Sequence, residues 1–349
     1  MSRGEDLLTA ALSGWLITGL FLDGWAHNTQ PQLETFVTPW HAVFYSGFAA
    51  VAVWIAWSVG RRRAPGGRWW PAVPVGYRGA VAGLAVFHVA GAGDVAWHTA
   101  FGIEHNEAAL LSPTHLGLYL GAFLVVTAPL RSRWADPTVG RRAGWRELAP
   151  VVVSLALTAD LSAFILQNFS PVRDNPVSRS LGQQLAATPL PGLTDRSIEH
   201  LVASFILTTV FLVAPVLFLV RRWEPPVGAV AALIGSQCVL MQGLSGFADP
   251  GLALLGVTGG ALVELATRRL RPAPGRLAEL RVWAALAPGL FWAVWLGGIA
   301  LHDHGLGFKA EIWGGALVWT ALTGVALTIV MYPPPLPARP EPEEAARGR

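Results

Sequence analysis

Residues 94–115 read DVAWHTAFGIEHNEAALLSPTH, and this stretch decides how the rest of the chain is interpreted. Asp94 and His98 are four residues apart, so on a helix their side chains lie on the same face, one turn from each other. Ser112 followed by proline is typical of a helix start, with serine as the N-cap and proline in the first turn. His115 then projects from that first turn. The stretch therefore predicts a helical hairpin that gathers an aspartate and two histidines at one end.

The same arrangement occurs earlier in the chain. Asp23 and His27 are again four residues apart, and the run Thr38-Pro-Trp-His41 stands where the later stretch has Ser-Pro-Thr-His. A duplicated set of this kind is difficult to attribute to chance, so we expect two Asp/His/His triads, each shared by the two helices of one hairpin. We refer to Asp94, His98 and His115 as the Asp94 triad, and to Asp23, His27 and His41 as the Asp23 triad.

The composition indicates an integral membrane protein. Of the 349 residues, 53% are hydrophobic and only 13% are charged, whereas a soluble domain carries roughly a quarter charged residues. The single cysteine, Cys238, excludes an internal disulfide and any paired-cysteine metal or redox motif. Neither a basic helix nor a basic patch interleaved with aromatic residues is present, which argues against nucleic-acid binding. We therefore expect a lipid bilayer, and no nucleic acid, around this chain.

Ten apolar segments are about long enough to cross a bilayer. They lie near residues 6–26, 37–60, 78–98, 113–130, 148–169, 197–220, 227–248, 251–267, 279–301 and 311–332. Pairing neighbours gives five hairpins, near residues 6–60, 78–130, 148–220, 227–267 and 279–332. The N-terminus lacks the features of a cleaved signal peptide, so the first segment is expected to remain as a helix. The fold class predicted is an all-α polytopic membrane bundle, forming a single domain over residues 1–332.

The arginine residues predict the orientation of this bundle. Every second connection is basic, and all but four of the 25 lysine and arginine residues fall on that side; the exceptions are Arg173, Arg179, Arg196 and Lys309. The positive-inside rule then places both termini in the cytoplasm of a multi-pass cell-membrane protein, with the hairpins opening outward. Residues 333–349, rich in Pro, Glu and Arg, are predicted to be a disordered cytoplasmic tail.

The remaining hairpins carry parts of the same pattern at their outer ends. In the third, Asp160 is followed four residues later by phenylalanine, and His200 ends a Ser-Ile-Glu-His run, so the middle histidine is lost. The fourth hairpin has only Gln237, Gln242 and Asp249. The fifth ends one helix with His302-Asp303-His304 and begins the next at Glu311. We interpret the chain as repeated hairpins of which the first two keep a complete set of metal-ligand residues.

Imidazole together with carboxylate suits copper, zinc or iron, and three such ligands leave a coordination position open for water, dioxygen or substrate. The aspartates could alternatively orient a ligating histidine without touching the metal. Glu34, Glu104 and Glu107, in the connectors, are candidate additional ligands or proton carriers, and His200, His302 and His304 are further candidate ligands. The alternative without a metal is that these polar residues only mark helix ends at the membrane interface.

The run DVAWH at 94–98, followed by SPTH at 112–115 and then by Tyr119, resembles the signature of the C subunit of the copper membrane monooxygenases. That family comprises the particulate methane and ammonia monooxygenases, in which an Asp-Gly-x-Trp-His run precedes Thr-Pro-Ser-His and the Asp and two His bind copper. The resemblance covers two of the five hairpins.

By this resemblance, the Asp94 triad would be one copper site. The Asp23 triad resembles the family's second site, with aspartate in place of asparagine. The family works as a complex of three different subunits, so the resemblance also implies partner subunits or an oligomer.

Three functional hypotheses remain open at this stage. The first is a copper-dependent oxidase or monooxygenase-like enzyme that oxidises a small apolar substrate reached from the bilayer, with zinc or iron as the alternative metals. The second is a metal-ion transporter or sensor, in which the outer carboxylates and histidines take up the ion. The third is a haem-binding membrane electron-transfer protein, which needs histidines that face one another across the bundle.

Overall fold

The computed structural model describes residues 1–30, 38–102, 110–179, 183 and 193–333, with the backbone alone for 193–195. These residues form twelve α-helices, short 3₁₀ turns and one isolated β-bridge between Ala273 and Arg276. In chain order the helices are α1 Arg3–Thr29, α2 Pro39–Gly60, α3 Trp69–Ala72, α4 Arg78–Phe101, α5 Pro113–Val126, α6 Ala128–Ala135, α7 Trp145–Ile165, α8 Leu193–Arg222, α9 Ala229–Gly243, α10 Pro250–Leu270, α11 Leu277–His302 and α12 Ala310–Met331. The predicted all-α class is confirmed.

Each of the ten predicted apolar segments forms a helix, and nine of them are long and apolar enough to cross a membrane within the described part of the chain. In the fourth of these, α5 and α6 are continuous apart from Thr127. The seventh segment, predicted at 227–248, differs because α9 has only 15 residues. At 1.5 Å per residue α9 is about 22 Å long, shorter than the roughly 30 Å hydrocarbon core of a bilayer.

A carboxylate inside the protein explains how α9 can begin where it does. Glu264, on α10, is only 9% exposed and accepts hydrogen bonds from the backbone N–H groups of Val230 at 3.0 Å and Ala231 at 3.4 Å. These are orphan donors of the first turn of α9, and a negative charge there is also favoured by the helix dipole. Arg268 donates to the other oxygen of Glu264 at 2.7 Å, so both carboxylate oxygens are used.

The first two hairpins are held together by close helix crossings. On α1 and α2, a Cβ added to Gly19 would lie 2.7 Å from the Cα of Phe44, and one added to Gly47 would lie 2.7 Å from the backbone of Leu16. On α4 and α5, a Cβ on Gly121 would lie 2.7 Å from the backbone nitrogen of Phe87. Small residues at crossings let membrane helices approach closely and gain dispersion contacts. Gly47 and Gly121 each stand six residues after the last histidine of their triad.

A polar network joins the opposite end of the same hairpins. Asp6 on α1 is fully buried and accepts hydrogen bonds from Arg133 at 2.7 Å, from the hydroxyl of Tyr77 at 2.9 Å and from Ser132 at 3.1 Å. Glu5 beside it accepts from the guanidinium of Arg62, which follows the end of α2. A buried charge is tolerated only with such partners, so this network holds α1, α2, α4 and α6 together at one end of the hairpins. The triads lie at the other end of the same hairpins.

Replacing Gly121 with alanine is expected to lower the thermal unfolding midpoint of the detergent-solubilised protein, since the new methyl group must push α4 and α5 apart. Overpacking of this kind typically costs about 1–3 kcal/mol. Gly14→Ala is the matched control, because a Cβ on Gly14 meets no heavy atom within 4 Å and alanine favours a helix. Equal midpoints for the two variants would contradict the close crossing at Gly121.

The orientation predicted from the arginines can be tested by labelling single cysteines in sealed vesicles. In a Cys238→Ala background, Ala64→Cys should react only with reagent on the cytoplasmic side and Ala248→Cys only with reagent outside. Both positions are exposed, and they lie in connections at opposite ends of the helices. A reversed labelling pattern would invert the predicted topology, and with it the side on which the triads lie.

Candidate metal centre

The Asp94 triad assembles at the end of the second hairpin as the sequence predicts. Asp94 and His98 lie on α4, and His115 lies in the first turn of α5, which Ser112 caps and which has proline at its start. The Nε2 atoms of His98 and His115 are 3.6 Å and 3.5 Å from the same oxygen, Oδ1 of Asp94. The Asp94 side chain is only 1% exposed, so its charge is removed from solvent. One carboxylate oxygen and two imidazole nitrogens therefore converge on one point.

Hydrogen bonds at the far side of the His98 ring determine which of its nitrogens can bind a metal. Nδ1 of His98 lies 3.2 Å from the carbonyl oxygen of Gly102, which can only accept a hydrogen bond. Nδ1 is therefore the protonated nitrogen, and Nε2 carries the lone pair toward Asp94. This is the usual arrangement of a metal-binding histidine, whose other ring nitrogen donates to a carbonyl or carboxylate.

Two hydroxyl groups complete the surroundings of the Asp94 triad. Thr114 donates a hydrogen bond to Oδ1 of Asp94 at 2.7 Å. The hydroxyl of Ser112 lies 2.7 Å from Nδ1 of His115 and 3.1 Å from the hydroxyl of Thr114. Ser112 was predicted only as a helix cap. Its contact with the ring of His115 adds a second role that the sequence pattern did not indicate.

The Asp23 triad assembles in the first hairpin with a different geometry. Oδ1 of Asp23 is 3.5 Å from Nδ1 of His41, and Oδ2 is 3.8 Å from Nε2 of His27. The same Nδ1 of His41 lies 3.0 Å from the hydroxyl of Thr38, the N-cap of α2. The position of Thr114 is occupied here by Trp40, which packs edge-on against Trp25. Oδ1 of Asp23 is buried and has no hydrogen-bond partner among the described residues.

The distances in the Asp94 triad fit a small metal ion. Ligand atoms about 2.0–2.2 Å from a tetrahedral ion lie about 3.3–3.6 Å apart, and the separations of 3.5 and 3.6 Å in the Asp94 triad fall in this range. In each triad the three candidate ligand atoms lie within 4.8 Å of one another, and these are the two such groups in the described part of the chain. The buried, unpartnered Oδ1 of Asp23 also calls for a positive charge.

The two triads are neighbours at the same end of the bundle. The charge of Asp94 acts on Asp23 and His41, and Tyr45 interacts electrostatically with both aspartates. The ring of Tyr45 lies parallel to His41, with centroids 6.2 Å apart, and packs against Gly91, one turn before Asp94. Within each triad the three candidate ligand atoms form a separate group.

Sequence reasoning did not identify Tyr45 as part of this region. A signal was present, because a tyrosine follows the last histidine by four residues in both motifs, as Tyr45 and as Tyr119. One turn further along α2, Phe48 stacks on Phe87 of α4 with ring centroids 3.9 Å apart. The two hairpins thus meet below the triads through aromatic side chains.

The other predicted ligands do not join the two triads within the described residues. Glu34, Glu104 and Glu107 lie outside the residues that the structure describes. His200 is exposed, stacks on Phe169, and has Nε2 3.1 Å from the carbonyl oxygen of Asn168. His302 ends α11, and His304 follows it in a left-handed conformation with φ 54°; both side chains are exposed.

The acid of the third hairpin lies in different surroundings from the two triads. Asp160 is 1% exposed and accepts a hydrogen bond at 3.4 Å from Ser236 of α9, so it faces the second half of the bundle. No carboxylate and histidine pair like those of the two triads is formed there by described residues.

Searches for related proteins found no family model, no curated protein and no solved structure that matches this chain. The resemblance to the monooxygenase C subunit therefore stays a prediction. The chain itself is a membrane-type helical protein with two Asp/His/His groups that could hold a metal ion.

The unpartnered oxygen of Asp23 makes a prediction about stability. In metal-free protein at pH 8.5, Asp23→Asn should raise the free energy of unfolding by about 1–3 kcal/mol, because it removes a buried carboxylate that lacks a hydrogen-bond donor. Asp94→Asn is the control, and its free energy of unfolding should rise less, since Asp94 already accepts a hydrogen bond from Thr114. Chemical unfolding in detergent measures both. A less stable Asp23→Asn protein would show that the carboxylate is satisfied without a cation.

Proposed function

We propose that this protein is an integral membrane metalloprotein that binds copper at its two triads and oxidises a small apolar substrate with dioxygen. The observation that carries the proposal is the duplicated convergence of one aspartate and two histidines at one end of two hairpins. The choice of copper over zinc or iron comes from the resemblance described above.

The donor set supports a metal with an accessible coordination position. Two imidazoles and one carboxylate suit copper, zinc and non-haem iron, and three protein ligands leave room for a further ligand. When bound, such a metal can activate dioxygen. The protein's contribution is to hold the ligands: Gly102 orients His98, Ser112 and Thr114 orient His115 and Asp94, and burial of Asp94 strengthens its attraction for a cation.

The surroundings of the triads favour an apolar substrate. The ring pairs Phe44 with Phe87 and Phe48 with Phe87 line the interface between α2 and α4, close to Tyr45. An aromatic wall offers dispersion contacts to a small hydrocarbon and no hydrogen-bond partners to a hydrated ion. The same wall makes a transport path for metal ions between these hairpins less favourable, because such paths need polar ligands near the bilayer midplane.

Elemental analysis of the detergent-purified protein is the first test. We expect about two equivalents of copper in the unmodified protein. The double variants His98→Ala/His115→Ala and His27→Ala/His41→Ala should each lose about one. His88→Ala is the matched control, because His88 is an exposed histidine on α4 outside both triads, and its copper content should not change.

The oxygenase activity is tested separately in proteoliposomes that contain the copper-loaded protein, a quinol as electron donor and a short alkane. Hydroxylation consumes one dioxygen, two electrons and two protons for each alcohol and water formed, so oxygen uptake and alcohol yield must agree. Oxygen uptake and alcohol formation should both disappear in His98→Ala/His115→Ala. If the protein binds copper but consumes no oxygen with any electron donor, it is a metal-binding protein and the oxygenase hypothesis is wrong. Zinc or iron in place of copper would keep the sites and change the chemistry.

A further inference from the structure

The two triads differ in how completely their ligands are oriented before a metal arrives. We propose that Thr114 and Ser112 are positioning residues that preorganise the Asp94 triad, so that it binds metal more tightly than the Asp23 triad and fills first. This inference rests on the proposed metal-binding function and adds an order to the two sites.

The hydrogen atoms of the Asp94 triad can be assigned from the acceptors available. Thr114 donates its hydroxyl hydrogen to Oδ1 of Asp94. The hydroxyl of Ser112 therefore donates to the oxygen of Thr114, at 3.1 Å. Ser112 then accepts from the backbone N–H of His115 and from Nδ1 of its ring, at 3.2 and 2.7 Å. Every donor in this series of hydrogen bonds has one acceptor.

This assignment fixes the tautomer of His115. With its hydrogen on Nδ1, the ring presents the lone pair of Nε2 to the point where Oδ1 of Asp94 and Nε2 of His98 converge. Both histidines are thus held in the ligating form by neighbours that do not touch the metal position. The lone pairs repel one another across 3.5–3.6 Å, and a cation between them removes that repulsion.

The Asp23 triad lacks this chain of hydroxyl groups. Trp40 replaces the threonine that would donate to the aspartate, so the orientation of Asp23 is not fixed by such a bond. The nitrogen of His41 nearest to Asp23 is Nδ1, which also contacts the hydroxyl of Thr38 at 3.0 Å. Binding a metal through this nitrogen must break that contact. A lost hydrogen bond of about 1 kcal/mol corresponds to roughly a five-fold loss of affinity.

The affinity for Cu⁺ is measured under anaerobic conditions, in competition with a chromophoric chelator. The protein carries His27→Ala/His41→Ala, so that only the Asp94 triad is complete. In this background Thr114→Val, which keeps the shape and removes the hydroxyl, should weaken binding about 10–100-fold, the usual effect of removing a group that orients a metal ligand. Thr114→Ser should restore most of the affinity. In the reciprocal His98→Ala/His115→Ala background, Thr114→Val should leave Cu⁺ affinity unchanged.

The outcomes separate this inference from the proposed function. If the protein with only the Asp94 triad complete binds no Cu⁺, the proposed metal site fails. If it binds Cu⁺ and Thr114→Val binds equally well, the site stands and the positioning role fails. An equal loss of affinity in both backgrounds would indicate a general structural defect of Thr114→Val and would also overturn the proposal.

The filling order can be measured on the unmodified protein, independently of any variant. With one equivalent of Cu⁺, modification by an imidazole acylating reagent followed by mass spectrometry should find His98 and His115 protected and His27 and His41 reactive. A second equivalent should protect all four histidines. Protection of His27 and His41 at the first equivalent would reverse the order and overturn the inference.

Discussion

The burial of two carboxylates near the ends of apolar helices is the constraint on which the first half of this protein depends. Asp94 and Asp23 cannot leave their places without unwinding the end of a helix, and they cannot remain there as bare charges without a large desolvation penalty. The chain meets this constraint only in part: it brings two histidines to each carboxylate, and a cation held among these side chains would remove the remaining penalty. The close crossings of α1 with α2 and of α4 with α5 then determine how near the histidines of the second helix of each hairpin can come.

The buried carboxylates at the two ends of these hairpins differ in how many hydrogen-bond donors surround them. At one end Asp6 is surrounded by the full complement of donors from Arg133, Tyr77 and Ser132, and the result is a rigid polar joint. At the other end the aspartates have fewer donors than a carboxylate can accept, and imidazole nitrogens occupy the remaining directions. A satisfied network stabilises a fold, whereas an incompletely satisfied one provides the binding energy for a cation. The same residue type therefore serves structure at one end, and at the other it forms part of a group that could hold a cation.

Much of this arrangement could be predicted from local sequence rules. Spacing of four residues placed Asp94 with His98 and Asp23 with His27, and the Ser-Pro and Thr-Pro pairs marked the starts of α5 and α2, because these features depend only on helix geometry and capping. The hydrogen bond from Thr114 to Asp94, the ring orientation of His41 and the place of Tyr45 depend instead on how two helices pack. No periodicity in the sequence encodes those contacts. The contact of Asp160 with Ser236 likewise depends on which helices are neighbours, and the spacing of residues does not determine that.

The carboxylate of Glu264 at the start of α9 has a consequence for how the second half of the protein meets the bilayer. A helix that begins at a side chain of its neighbour does not need water or lipid headgroups at its first turn, so its N-terminus can lie within the hydrocarbon layer. The length of α9 is then set by the protein and not by membrane thickness.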